Sequence, residues 1–167
     1  FVIEAAEIAV GLQPGRSRSF AFEHLASFDE QAWQDMRGHA QRVESDLRFY
    51  GYDRDPGAVR MSRANALRAG VGDLTEFQQQ PVSELTRPDG MPGLGIANPP
   101  YGSRIGNLGE LKPLYRSFGE VLKTHFSGWR VGLVTNEDSL AKATGLPFAR
   151  QTDPVSHGGI RIKVYST

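Results

Sequence analysis

The strongest pattern along the chain lies between residues 111 and 125. Leu111, Leu114, Tyr115, Phe118, Val121, Leu122 and His125 recur there at three- and four-residue steps. Those steps set the side chains on one face, so the spacing predicts an amphipathic helix turned toward a core. Upstream, Phe1 to Val10 is apolar but broken by Glu4 and Glu7, and reads as a helix that stops near Gly11, with Pro14-Gly15 as a break. Residues Ser17 to Ser27 mix aromatic and polar side chains without a period. Ser27 and Asp29 can then cap a helix that continues through Trp33, Met36 and Val43.

Strand patterns fill the rest. Leu47 to Asp53 is rich in aromatic residues and ends in an acid, Leu74 to Gln78 is short, and Leu94-Gly95-Ile96-Ala97 is small and apolar. Trp129 to Thr135 reads as a buried strand, and Ile160 to Tyr165 alternates strictly. Between the first two strands Asp55-Pro56 opens a helix. Asp accepts from the free N–H groups of a first turn, and Pro loses nothing there by lacking its own. That helix passes Val59, Ser62, Ala66 and Leu67 and stops at Gly70. Pro88-Asp89-Gly90 and Pro92-Gly93 are turn chemistry, Ser139 to Ala143 makes a short helix, and His157-Gly158-Gly159 suits a hairpin turn. Helices and strands therefore alternate, which predicts an α/β fold with a mainly parallel sheet. Ligands of such sheets bind beyond the carboxyl ends of the strands, where Asp53 and Asn98 stand.

Composition narrows the chemistry. A length of 167 residues suits a single domain, residues 1–167. Because 19 Lys and Arg balance 19 Asp and Glu, a polyanionic partner would have to be met by a local patch. The absence of cysteine excludes a disulfide scaffold, a thiolate zinc site, an iron–sulfur cluster and a cysteine nucleophile. His24, His39, His125 and His157 lack metal-ligand spacing, so no metal is expected. No apolar run approaches the roughly 20 residues of a membrane span, and no membrane partner is expected. The opening Phe1-Val2-Ile3-Glu4 has no starting Met and no basic residues before its apolar stretch, which argues against a signal peptide. It suggests a helix entered in mid-turn, in a piece of a longer chain.

Asn98-Pro99-Pro100-Tyr101 is the most pointed chemistry in the sequence. Two successive prolines cannot donate to a sheet ladder, so the strand ends there. The residue before a proline is pushed to an extended conformation, which sets the direction of Asn98. The backbone then offers carbonyls without competing donors, and the Asn98 amide adds another acceptor. Two acceptors beside the flat ring of Tyr101 suit an amino group on a planar base. A strand followed by a Pro-Pro turn with a packed tyrosine is the plain alternative.

This tetrapeptide resembles motif IV of the S-adenosylmethionine-dependent amino-group methyltransferases, which act on adenine N6, guanine N2 or protein glutamine. Four longer stretches are more specific: Ile96 to Gly106, Phe20-Ala21-Phe22-Glu23-His24, Ser27-Phe28-Asp29 and Tyr52-Asp53-Arg54-Asp55-Pro56. Together they resemble the ribosomal RNA large-subunit guanine-N2 methyltransferase family, over essentially the whole chain. The resemblance implies a Rossmann-like class I methyltransferase sheet flanked by helices and S-adenosylmethionine as cofactor. It implies 23S-type ribosomal RNA as substrate, an RNA-binding THUMP domain upstream, and a cytoplasmic enzyme. Asn98, Pro99, Pro100 and Tyr101 would be catalytic, with Asp53, Arg54 and Asn98 at the cofactor. Arg104 would contact RNA. Read plainly, Asp53 is a turn acid, and Arg54 is a solvent-exposed side chain.

Two departures from that family stand out. Its first strand and the glycine-rich loop after it would precede Phe1 and are missing from this chain, so residues 1–167 alone are expected to be inactive. The acid that family members often carry after the third strand falls on or near Pro81, with Gln78, Gln79 and Gln80 before it. Gly93-Leu94-Gly95 lacks the third glycine of a dinucleotide loop and reads as a turn. Arg60, Arg63 and Arg68 share one helix and face phosphate or solvent. Other substrates stay open on the same chemistry: transfer RNA guanine, DNA adenine or a protein glutamine. So does a non-catalytic RNA-binding remnant.

Overall fold

The computed structural model describes residues 1–38, 42–101 and 108–167. The chain forms two compact units, Phe1–Gln79 and Gln80–Thr167. In the first, α1 (Val2–Ala9), a 3₁₀ turn (Ala21–His24), α2 (Glu30–Gly38), β1 (Phe49–Asp53), α3 (Pro56–Ala69) and β2 (Thr75–Gln79) follow in that order. β1 and β2 pair in parallel, with Phe49 opposite Thr75 and Asp53 opposite Gln79. Parallel neighbours need a crossover, and α3 supplies it. Ala6 and Val10, near the end of α1, pack with Val59, Ala66, Val71, Leu74 and Phe77 into the core of this unit.

Local chemistry sets the ends of α3 as the sequence predicts. The Asp55 carboxylate accepts the Gly57 N–H at 2.6 Å, Pro56 takes the first helical position, and Gly70 closes the helix at φ +74°. Gly51 faces Phe77 across the ladder, and a Cβ at residue 51 would stand 2.5 Å from that ring. The strand accepts no side chain there. Arg63 Nε and Nη2 both donate to the Phe77 carbonyl. The Leu74 carbonyl accepts from Phe49 in β1, so by alternation the Phe77 carbonyl faces outward.

α2 spans Glu30–Gly38 and buries none of its residues, and Val43, the expected far end of this helix, lies outside any helix. Trp33 instead meets the rings of Phe20 and Phe22 edge-on, at 5.8 and 5.0 Å between centroids. Arg37 lies over the Trp33 ring. The aperiodic stretch from Ser17 to Ser27 is thus held by aromatic contacts, which leave no helical or strand period to read. Arg16 bonds both Glu7 on α1 and the Ala69 carbonyl at the end of α3.

In the second unit a 3₁₀ turn (Val82–Glu84) precedes β3 (Leu94–Ala97), α4 (Leu108–His125), β4 (Arg130–Thr135) and α5 (Asp138–Ala143). Three strands close the chain: β5 (Arg150–Gln151), β6 (Val155–His157) and β7 (Ile160–Ser166). The sheet order is β3-β4-β7-β5, with β6 also on β7. β3 and β4 are parallel, whereas β7 is antiparallel to β4, β5 and β6. The expectation of a mainly parallel sheet is corrected here. Parallel pairing holds for β1–β2 and β3–β4, and every pair that includes β7 is antiparallel. β5 and β6 are too short to show an alternating pattern. Gly158 and Gly159, both at positive φ, make the hairpin turn, and His157 belongs to β6.

α4 buries Leu111, Tyr115, Phe118 and Leu122, as its period predicts, while His125 is exposed at its end. These residues share a core with Val131, Leu133, Leu140, Ala141 and Tyr165. Among the described residues β1 pairs only with β2, and β3 only with β4, so each keeps one unpaired edge. No helix of the described residues is long and apolar enough to cross a membrane.

Candidate active site

β3 runs beside β4 with Ala97 opposite Leu133, and the chain leaves the sheet at Asn98, at the carboxyl end of the strand. Asn98 is exposed, while Pro99, Pro100 and Tyr101 are half-buried. Tyr101 leans against the core of the second unit. The corner therefore presents its amide outward and keeps its ring partly anchored. A ligand can reach the Asn98 side chain, which a corner sunk in the packed interior would not allow.

Tyr115 supports this corner from below. Its side chain is fully buried on α4, and its hydroxyl donates to the Pro100 carbonyl at 3.2 Å. Thr135, the last residue of β4, lies near this hydroxyl. Thr135 Oγ1 in turn accepts the Glu137 N–H at 3.2 Å. Burial raises the Tyr115 pKa, and the nearby Tyr101 adds to the rise, while the Thr135 side chain opposes it. Asn136, one residue past β4, buries its amide oxygen without a partner among the described residues. The sequence shows Tyr115 as a core residue of an amphipathic helix. Its hydroxyl is the signal that would have set it apart from Phe118 or Leu122.

Asp53 ends β1 and is exposed. Its Oδ1 accepts the Asp55 N–H at 2.9 Å, so part of its role is that of a turn acid. A carboxylate offers about four acceptor positions, and one backbone bond leaves room for hydroxyl groups. The β1–β2 register brings Gln79 opposite Asp53, and Gln79 Nε2 donates to the Arg54 carbonyl at 3.2 Å. Gln79 is thus the residue that the strand pairing sets beside Asp53 and Arg54. Pro81 leads into the 3₁₀ turn of the second unit. An exposed carboxylate beside a glutamine amide is a suitable group for the vicinal hydroxyls of a ribose. The Arg54 side chain is exposed.

Other candidates fare differently. Arg104 lies outside the described residues. Arg63 is engaged by the Phe77 carbonyl, and Arg68 bonds Asn65 on its own helix. Among the described residues no group of three or more His, Asp or Glu side chains could hold a metal. Asp138, at the start of α5, accepts bonds from Tyr165 and, at 2.9 Å, from Lys163. Those two bonds, the tyrosine's first, hold its carboxyl below the ordinary carboxylate range.

Residues 1–161 match the family UPF0020, described as RMKL-like, methyltransferase domain. A ribosomal RNA large subunit methyltransferase K/L of Chromohalobacter salexigens is 42% identical over 161 residues. That match covers 90% of this chain and 22% of the relative, so the chain spans about a fifth of the curated relatives' length. Among solved structures, SMU.472, described as a methyltransferase and complexed with SAH, superposes with a TM-score of 0.86 at 27% identity. It covers 99% of this chain and 44% of its own. A possible methylase from Clostridium difficile 630 gives a TM-score of 0.87 at 29% identity, over 98% of this chain and 44% of its own. The architecture is the α/β fold of these methyltransferases.

Proposed function

Since the chain belongs to the RMKL-like methyltransferase domain family, we propose that it is part of the catalytic domain of an S-adenosylmethionine-dependent enzyme that methylates the exocyclic N2 amine of a guanine in large-subunit ribosomal RNA. The observation that carries this reading is the Asn98-Pro99-Pro100-Tyr101 corner. It stands at the carboxyl end of a parallel strand, with an exposed amide, no proline N–H to compete, and an aromatic ring beside it.

S-adenosylmethionine, when bound, supplies an electrophilic methyl group. The chain's own residues do the rest by position and charge. Asp53 accepts ribose hydroxyls, with Gln79 and Arg54 beside it. Asn98, at the cofactor as well as at the base, turns its amide oxygen toward the target amine, and the Pro99 carbonyl offers a second acceptor. Bonds from both N–H groups of the amine favour a pyramidal nitrogen, so its lone pair is freed from the ring. The base must leave its stack to arrive there, and Tyr101 receives its face. Stacking on such a ring is worth roughly 1–3 kcal/mol. Arg104, just past the corner in the sequence and outside the described residues, is assigned an RNA contact.

In this reading residues 1–167 belong to one catalytic domain, with an RNA-binding THUMP domain elsewhere in the parent protein and a cytoplasmic location. Ribosomal RNA is preferred over transfer RNA, DNA and protein glutamine because the curated relatives are named as ribosomal RNA methyltransferases.

The test is tritium-methyl transfer by the whole parent protein to undermethylated large-subunit RNA, transfer RNA, DNA and release factor. Label should enter ribosomal RNA and be recovered as N2-methylguanine. Label in another substrate, or in another base, would overturn the assignment. Absence of S-adenosylmethionine binding by the whole protein in calorimetry would favour an RNA-binding remnant.

A further inference from the structure

The corner at residues 98–101 has few soft torsions. The rings of Pro99 and Pro100 fix both φ angles near −65°. Each residue that precedes a proline, Asn98 and Pro99, is confined to extended ψ values. The peptide bonds are trans. What remains free is ψ of Pro100, the angle that swings the Pro100 carbonyl around its Cα–C bond. That one rotation also decides where Tyr101 leaves the chain.

The Pro100 carbonyl is the group that Tyr115 holds. The tyrosine ring is fully buried on α4, so the donor is fixed to the core rather than to solvent. Beside it stands Thr135, itself fully buried, at the end of the strand parallel to β3. Thr135 Oγ1 is itself held by the Glu137 N–H, and the Tyr115 hydroxyl bonds Pro100. Phenylalanine would fill the same space on α4 equally well for packing. The hydroxyl contributes its bond to the corner.

We propose that Tyr115 is a positioning residue: its hydroxyl locks ψ of Pro100 and so sets the direction in which Tyr101 leaves the acceptor pair formed by Asn98 and the Pro99 carbonyl. This proposal rests on the methyltransferase reading for its effect on turnover, but not for its effect on the corner. Tyr115 touches neither base nor cofactor. It acts through Pro100, and its loss misaligns the stacked base with the acceptors while leaving the binding groups in place. The cost therefore falls on the rate rather than on affinity.

The whole parent protein tests this with two readouts. In methyl transfer, Tyr115→Phe should lower kcat about 10-fold, the usual scale for one lost hydrogen bond, with KM for RNA and for S-adenosylmethionine nearly unchanged. Thr135→Val should lower kcat in the same direction, while Thr135→Ser keeps the hydroxyl and should retain it. The second readout needs no substrate. With 3-fluorotyrosine incorporated, the Tyr101 signal, assigned by its loss in Tyr101→Phe, should be single in the unaltered protein and broadened or doubled in Tyr115→Phe. If Tyr115→Phe does not fold, Thr135→Val gives the same fluorine test. An unaltered Tyr101 signal in a folded variant, or an unaltered kcat, overturns the proposal. A disturbed Tyr101 signal in a protein whose unaltered form methylates no ribosomal RNA overturns the substrate reading and leaves the torsional lock standing.

Discussion

Gly119, midway along α4, lies against the Thr144 backbone: a Cβ at residue 119 would stand 1.8 Å from the Thr144 carbonyl oxygen and 2.6 Å from its carbon. The obstacle is main chain, which cannot rotate aside as a side-chain tip can. Overpacking a fixed interior costs about 1–3 kcal/mol, and Gly119→Ala should fall at the upper end. Urea unfolding reads this directly. A midpoint equal to that of the unaltered protein would mean that α4 and α5 separate freely.

Asp53 and Asp55 stand two residues apart and do different work. Asp55→Ala removes a helix cap and should cost about 1 kcal/mol of stability, with S-adenosylmethionine affinity in the whole protein little changed. Asp53→Ala also loses the bond to the Asp55 N–H, but its larger effect should be on binding, at least 10-fold in calorimetry, since a charge-assisted bond to a hydroxyl is worth about 1.5–3 kcal/mol. Equal binding by both variants would return Asp53 to the role of a turn acid.

At the corner, the amide and the ring should separate kinetically. Asn98→Ala should lower single-turnover methylation by about 100-fold, the scale of one lost group in a preorganised site, with RNA affinity nearly intact. Tyr101→Ala should also impair methylation, whereas Tyr101→Phe keeps the stacking face and should largely spare it. Near-normal methylation by Asn98→Ala would dismiss the amide from the reaction.

Three phenols with raised pKa values, Tyr52, Tyr115 and Tyr165, make the fold sensitive to alkali. Burial, first, raises the pKa of all three, and for Tyr165 the bond to Asp138 adds to it. Below the unfolded tyrosine value of about 10, both folded and unfolded chains hold these protons and the contribution is complete. Above it the unfolded chain releases them first, so stability falls as pH rises toward the folded values. Urea midpoints should decline above about pH 10, and the Tyr115→Phe, Tyr165→Phe double variant should show a shallower decline. Equal slopes would remove Tyr115 and Tyr165 from the alkaline transition.

Much of this was legible in the residues because the signals were local. Asp55-Pro56 and Gly70 mark α3 by capping chemistry alone, and the α4 period needs only the helix repeat. The Pro-Pro corner marks its own strand end. What was not legible depends on partners distant in sequence. The antiparallel direction of β7 is set by its pairing with β4, which no pattern within Ile160–Tyr165 reveals. Gln79 beside Asp53 follows from a register between two strands, which no count along one of them reveals. Trp33 finds Phe20 and Phe22 through a fold-back, so α2 carries its aromatic side chain without the buried stripe a helix reading looks for. The hydroxyl of Tyr115 is a single atom in a position where any large apolar residue satisfies the period.

The guanidinium of Arg63 gives the β1–β2 ribbon a preferred direction of growth. With the outward carbonyl of Phe77 already occupied, a stray extended peptide meets a plugged flank at β2. Among the described residues the β1 flank has no ladder partner. Any additional strand, whether from the same polypeptide or from a neighbour, is steered to that side, and fibrillar stacking through the outer side is discouraged by one arginine.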